Sequence, residues 1–219
     1  MRGAAVEAKR FILWAQAAWD EAYRYCMGCW RTWRYRRRPH APAGEGDEPP
    51  HRVPRGVAIV FTQISGRDVA QTIGRAVGWL ARQGVAEVVF YDAEGVLKAD
   101  ARVRAALSEA SGKIPAMALS VTCRADWEAR MADAAHDIGR RRKASRDDAG
   151  GVEEARRAID ARLGAHPDLI VVVGSRTTLA GFNPWHAARA EILRVPDPAP
   201  ERLDRALHMW RRTEQRHGA

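Results

Sequence analysis

The chain has 219 residues, of which 46% are hydrophobic, and it carries a formal net charge of +9 at pH 7. This size fits one ordinary domain with an appendage, and the positive charge favours anionic partners such as nucleic acid, phospholipid headgroups or phosphorylated metabolites. Three cysteines are too few for a disulfide framework, which excludes a disulfide-stapled secreted domain and favours a reducing, cytosol-facing compartment.

Residues 1–38 are predicted to form an amphipathic segment that lies on a membrane. Residues 7–33 have a helical pattern rich in tryptophan and tyrosine, with a narrow polar stripe. Charges in its middle, such as Asp20 and Arg24, make a crossing costly, and the basic cluster at 31–38 would attract anionic lipid. We therefore predict an interfacial anchor. The alternatives are a core-packing helix, a membrane-spanning segment, a helix docked on a partner protein and, ranked last, a nucleic-acid patch.

Residues 39–55 are predicted to be a linker. Prolines interrupt regular structure throughout this stretch, and residues 44–48 are small or acidic. A stretch of this composition is a semi-extended spacer, which would hold the following domain away from the membrane.

Residues 56–219 are predicted to form one α/β domain. Short apolar runs typical of buried strands alternate with segments that have helical periodicity. The predicted strands are 57–61, 87–91, 114–121 and 168–173, and the predicted helices are 68–83, 99–111, 127–143, 152–163, 185–193 and 201–215. This alternation predicts a mostly parallel sheet flanked by helices.

Ligands of such sheets bind at the carboxyl ends of the strands, and the loops there carry few catalytic groups. The loop after the first strand, residues 62–67, has no glycine-rich phosphate cradle, and residues 92–95 are typical of a turn. No histidine pair has metal-ligand spacing, and no nucleophile elbow is present. The architecture therefore suggests an α/β enzyme that has few catalytic groups of its own.

Arg216 and Gly218, near the end of the sequence, have the chemistry of a diphosphate hook. A guanidinium grips phosphate oxygens in pairs, and a glycine lets the backbone bring its N–H close to a ligand. The alternative is an ordinary basic helix end, because arginines also suit the negative end of a helix dipole.

The second half of the chain resembles the Nogo-B receptor family. These proteins are the non-catalytic partner subunits of eukaryotic dehydrodolichyl diphosphate synthase, in the cis-prenyltransferase superfamily that includes undecaprenyl diphosphate synthase. The resemblance covers about residues 53–219 and rests on the order and spacing of several short motifs. These motifs are 91–98, 167–169, Gly174, 179–186, 191–192 and 214–218.

The resemblance implies an incomplete active site. In active members an aspartate ends the first strand and helps to bind magnesium and the allylic diphosphate, and Thr62 stands at that place here. Active members bind isopentenyl diphosphate with two arginines and a serine, which are matched here by Val172, Thr178 and Ala180. Glu191 lines up with a glutamate of the active enzymes, but without the aspartate it is not expected to bind metal.

The resemblance also implies a heteromeric function. The chain would be the accessory subunit of a cis-prenyltransferase that makes dehydrodolichyl diphosphate from farnesyl and isopentenyl diphosphates, for dolichol synthesis and protein glycosylation. Arg216 would clamp isopentenyl diphosphate or its magnesium complex in the partner's site, beside His217, and the Gly218 N–H would bind a phosphate oxygen. The catalytic partner would hold most of the Mg²⁺.

By the same resemblance, the complex would lie on the endoplasmic reticulum membrane with its globular domain facing the cytosol, and the partner interface would lie around residues 170–200. The chain is expected to be inactive alone and to bind no nucleic acid. The alternative is a catalytically silent, membrane-tethered scaffold or receptor; a self-sufficient homodimeric enzyme is disfavoured by Thr62. Asp92, Trp185 and His186 are assigned to architecture.

Overall fold

The computed structural model describes residues 52–64, 68–144, 151–164, 166–175 and 178–213. The predicted anchor at 1–38, nearly all of the linker at 39–55, and the predicted hook residues Arg216, His217 and Gly218 lie outside the described residues. The chain divides into two compact units: the described residues of one are 125–144 and 151–164, and the rest belong to the other.

The larger unit contains a five-stranded parallel sheet with the strand order β3-β2-β1-β4-β5. The strands are β1 (Gly56–Phe61), β2 (Glu87–Asp92), β3 (Ala118–Thr122), β4 (Leu169–Val173) and β5 (Glu191–Val195). Every residue of β1 and β4 is buried, as expected for central strands of a sheet that is covered on both faces. The predicted parallel sheet is confirmed.

Helices follow the strands along the chain. They are α1 (Val69–Arg82), α2 (Val96–Ala99), α3 (Ala101–Lys113), α4 (Arg124–Ala144), α5 (Gly151–Leu163), α6 (Pro184–Ala187) and α7 (Pro200–Arg212). In α1 the apolar residues at helical spacing, Ile73, Ala76, Val77 and Leu80, are buried in the core. Helix α7 buries Leu203, Ala206, Leu207 and Trp210 in the same way. Both helices therefore present one apolar face to the sheet.

Two predictions of secondary structure are wrong. The segment 185–193 is not one helix: α6 ends at Ala187, and residues 191–195 form β5, which pairs with β4. The third strand begins at Ala118 instead of 114, because the chain turns between Ile114 and Met117, where the Met117 N–H donates to the Ile114 carbonyl at 3.1 Å.

The smaller unit is helical. Asp137 of α4 forms ion pairs with Arg140 of the same helix and Arg162 of α5, so one carboxylate links the two helices. Hydrogen bonds from Arg162 and then Arg140 lower the pKa of Asp137. Across the part of the chain that the structure describes, no helix has the length and hydrophobicity needed to cross a membrane.

Candidate functional site

Thr62 lies at the carboxyl end of β1 and is bound to the end of β4. Its side-chain Oγ1 donates a hydrogen bond to the Val173 carbonyl at 3.0 Å, and its backbone N–H donates to the same oxygen at 3.1 Å. The hydroxyl is thus engaged with the neighbouring strand. At this place in the sheet the chain presents a bonded hydroxyl and no carboxylate.

Gly174 shows how closely these two strand ends approach. Its φ of +127° is one that side-chain-bearing residues rarely adopt, and a β-carbon there would lie 2.3 Å from the Thr62 Oγ1. The Gly174 N–H donates to the Val195 carbonyl at 3.0 Å, which also holds the start of this loop against β5. The glycine is required here because the Thr62 hydroxyl occupies the space of a side chain.

Asp92 is the carboxylate opposite the end of β1, where it pairs in register with Phe61. It is only 3% exposed. Its Oδ1 accepts a hydrogen bond from the Val96 N–H at 2.8 Å, and its Oδ2 accepts one from the Leu97 N–H at 3.0 Å. Asp92 therefore fixes the turn that begins α2, and its assignment to architecture is confirmed.

Tyr91 holds the loop that follows β4. Its hydroxyl donates to the Ala180 carbonyl at 3.1 Å, and its ring meets the Phe182 ring edge-on, with centroids 5.2 Å apart. Ala180 has a φ of +50° and Gly181 a φ of +80°, so two successive residues are left-handed. Such backbone costs free energy for alanine and persists only where neighbouring contacts hold it.

Arg124 covers the same loop from the start of α4. A β-carbon on Gly181 would lie 2.9 Å from Arg124 Nε, so the guanidinium rests directly on the glycine. Burial raises the pKa of Tyr91 to about 12, although the Arg124 charge and hydrogen bond oppose this rise. The Tyr91 phenol is therefore neutral, although the positively charged Arg124 guanidinium lies beside it. Sequence reasoning did not single out Arg124, although its place just after a strand is where a ligand-binding residue is expected.

Histidine and aromatic rings pack beneath this loop. His186 is 2% exposed, and its ring lies 5.0 Å from that of His166 and 6.2 Å from that of Phe182. Asn183 Oδ1 accepts a hydrogen bond from the Trp185 N–H at 2.9 Å and thereby caps α6. His186 is therefore buried in the core, which agrees with its assignment to architecture.

The other positions that the resemblance matches to binding residues of active enzymes either carry no charge or lie far from Thr62. Val172 is buried in β4, whereas Thr178 and Ala180 belong to the loop that Tyr91 holds. Glu191 begins β5, where it pairs with Leu169 at the amino end of the sheet, and burial raises its pKa. Glu191 therefore lies at the amino end of the strands, whereas Thr62 lies at their carboxyl end. Within the described ranges, no group of three or more histidine, cysteine, aspartate or glutamate side chains could hold a metal ion.

Solved structures identify this arrangement of strands and helices. The chain is similar to lavandulyl diphosphate synthase from Lavandula x intermedia, solved with dimethylallyl diphosphate, with a TM-score of 0.51 and 14% identity over 74% of this chain and 97% of that one. It is also similar to a probable undecaprenyl diphosphate synthase from Campylobacter jejuni, with a TM-score of 0.50 and 13% identity over the same shares, 74% and 97%. No protein-family model matches the sequence, and no curated protein matches it. At this level of sequence identity, the similarity establishes the fold and not the function. The fold of this chain is that of the cis-prenyltransferases.

Proposed function

We propose that this chain is the accessory subunit of a heteromeric cis-prenyltransferase that makes long-chain polyprenyl diphosphate from farnesyl and isopentenyl diphosphates. The fold supports the reaction class. The observation that carries the accessory role is Thr62, whose hydroxyl is bonded to the Val173 carbonyl at the place where the resemblance expects a metal-binding aspartate.

Among the described residues at the carboxyl edge of this sheet, the positions matched to the magnesium- and diphosphate-binding residues of active members carry no charge. Mg²⁺ is bound through carboxylates, water and phosphate oxygens. The Thr62 hydroxyl is neutral, and both oxygens of Asp92 accept backbone hydrogen bonds. Thr178 and Ala180, which match phosphate-binding positions, carry no charge. A second polypeptide that supplies these groups would explain why this chain keeps the fold but lacks the metal- and diphosphate-binding residues.

The contribution of this subunit would come from residues that follow α7. Helix α7 ends at Arg212, and the sequence continues to Arg216, His217 and Gly218. In the proposal, Arg216 grips diphosphate oxygens through its planar fork, beside His217, and the Gly218 N–H donates to another oxygen. The catalytic partner would supply most of the Mg²⁺ ligands, and the metal would provide positive charge that stabilises a leaving diphosphate.

The setting in the cell is part of the same proposal. A polyprenyl product is very apolar, so its synthesis belongs at a membrane surface. The segment at 1–38 would anchor the subunit on the endoplasmic reticulum, with the globular domain in the cytosol and the product used for dolichol synthesis and glycosylation.

A prenyl-transfer assay tests the proposal. Labelled isopentenyl diphosphate and farnesyl diphosphate are incubated with Mg²⁺ and the purified full chain, with a candidate catalytic subunit from the same organism, and with both together. We expect no product from this chain alone and a product from the pair that exceeds the sum of the separate reactions. Product from this chain alone would contradict the role given to Thr62. No gain over the separate reactions would favour the silent scaffold instead.

A further inference from the structure

Helix α7 carries an arginine stripe, formed by Arg202, Arg205, Met209 and Arg212. At 100° per residue these four side chains fall within about 80° of the helix circumference. All four are exposed, and Met209 keeps 46% of its surface accessible. The stripe lies on the side of α7 away from its buried face.

The charge of this stripe is unbalanced within the described part of the chain. The side chains of its three arginines form no ion pair or hydrogen bond with another described residue. The acidic residues of the helix lie beside one edge of the stripe: Glu201 is about 20° from Arg212 around the helix axis, and Asp204 is about 80° from it, with His208 between them. The stripe therefore carries three cations with one apolar side chain among them, and Glu201 lies only at its edge.

This combination favours a lipid surface. Arginines attract anionic headgroups while an apolar side chain between them enters the boundary of the acyl region, which is the pattern of an interfacial helix. An exposed methionine contributes nothing to the electrostatic binding of nucleic-acid phosphates. The apolar stems of the arginines also suit a surface that is polar above and apolar below.

Arg52, which belongs to the predicted linker, contacts the folded domain at the same helix. The Arg211 Nε donates to the Arg52 carbonyl at 3.0 Å, and the Arg52 guanidinium lies 5.7 Å from the centre of the Trp210 ring. Residues 1–51 therefore join the folded domain at the carboxyl end of α7. A membrane anchor in those residues would be connected close to the stripe.

We propose that the arginine stripe of α7 is a second membrane contact, which docks the folded domain on an anionic phospholipid surface. This contact is independent of the predicted anchor and does not depend on the proposed prenyl-transfer function. Docking here would hold the end of α7, and the residues that follow it, next to the lipid.

The test measures partition of the full chain onto vesicles of phosphatidylcholine with and without phosphatidylserine. The variant R202E/R205E is compared with R75E/R82E, which makes the same change in net charge at two exposed positions of α1. We expect R202E/R205E to bind anionic vesicles more than about tenfold more weakly, because each arginine at such a surface contributes roughly fivefold. R75E/R82E should bind as the parent does. Equal losses in the two variants would mean diffuse attraction and would overturn the proposal.

A local probe separates docking of the helix from binding through the anchor. An environment-sensitive dye is placed on Met209→Cys after Cys26, Cys29 and Cys123 are changed to serine, and circular dichroism checks the fold. We expect a blue shift with anionic vesicles and none with neutral vesicles or in R202E/R205E. Binding to anionic vesicles without a blue shift would refute the proposal. A shift caused by the catalytic subunit in place of vesicles would assign the stripe to a protein partner and would also refute it.

Discussion

The Thr62 hydroxyl occupies the space that a side chain on Gly174 would need. A β-carbon at Gly174 would lie 2.3 Å from Thr62 Oγ1, and that oxygen donates to the Val173 carbonyl. The ends of β1 and β4 are therefore closed together by one hydroxyl. Phe61 and Val173 already pair in the sheet, and the Thr62 hydroxyl extends the contact between β1 and β4 by one residue.

Gly174→Ala should lower the free energy of unfolding by about 2–4 kcal/mol, because strained backbone and overpacking act at one position. The matched control is Gly84→Ala, where φ is +85° but the nearest atom, Val53 Cγ1, is 4.0 Å away. That change should cost about 1–2 kcal/mol, from the backbone alone. Urea denaturation measures both.

The background Thr62→Ala isolates the contact. When the hydroxyl is removed, the cost of Gly174→Ala should fall towards that of Gly84→Ala. If the two costs were additive in the double variant, the closeness of Thr62 and Gly174 would have no energetic consequence.

Asp92→Ala should destabilise the protein by about 3 kcal/mol, because two backbone N–H groups lose a charged acceptor in a buried place. Asp92→Asn keeps one oxygen and should lose less. The control is Asp100→Ala, since Asp100 accepts from the Arg102 N–H at the exposed start of α3. Loss of that cap should cost about 1 kcal/mol. Equal losses at Asp92 and Asp100 in urea denaturation would contradict a buried structural role for Asp92.

The central strands and long helices were predictable because local pattern and burial agree. The runs at 57–61 and 168–173 are apolar throughout, and both strands are fully buried. Strand β5 was missed because it lies at the sheet edge, where Ile192 and Arg194 are not buried and the apolar pattern is weak. Its identity comes from pairing with β4, which local sequence does not encode.

The candidate site was predictable in composition but not in geometry. The sequence indicates a neutral Thr62 at the end of the first strand, and the resemblance gives that residue its meaning. The contact of Thr62 with Val173 joins residues 111 positions apart, and that of Tyr91 with Ala180 joins residues 89 positions apart. Both contacts depend on strand order, which periodicity cannot supply.

Tyr91 should make the stability of the fold depend on pH in the alkaline range. Burial raises its pKa from the usual 10.0 to about 12. A raised pKa of an acid means that its stabilising effect is complete below the unfolded value and is lost as the pH rises through the folded value. The difference in unfolding free energy between the parent and Tyr91→Phe should therefore shrink between about pH 10 and pH 12. A constant difference across that range would contradict this account.

Arg124→Ala should raise the pKa of Tyr91 further, because Arg124 lowers it by its charge and by a hydrogen bond. Phenolate absorbance, taken as the difference between each protein and its Tyr91→Phe counterpart, reports this pKa directly. The surface change Arg75→Ala is the control and should leave the midpoint in place. An unchanged midpoint in Arg124→Ala would mean that the guanidinium does not act on the phenol.

Arg216→Ala should reduce prenyl transfer by the heteromeric complex about 100-fold or more, as expected when a positioned donor to a reacting diphosphate is removed. Gly218→Ala should have a similar effect if a side chain prevents close approach of the backbone N–H. Thr62→Ser is the control: it keeps the hydroxyl that bonds Val173 and should leave activity intact. Size-exclusion chromatography with the catalytic subunit should show unchanged assembly in all three variants. Loss of assembly in Arg216→Ala, or full activity in it, would contradict the proposed hook, because the residue would then serve the interface or serve neither purpose.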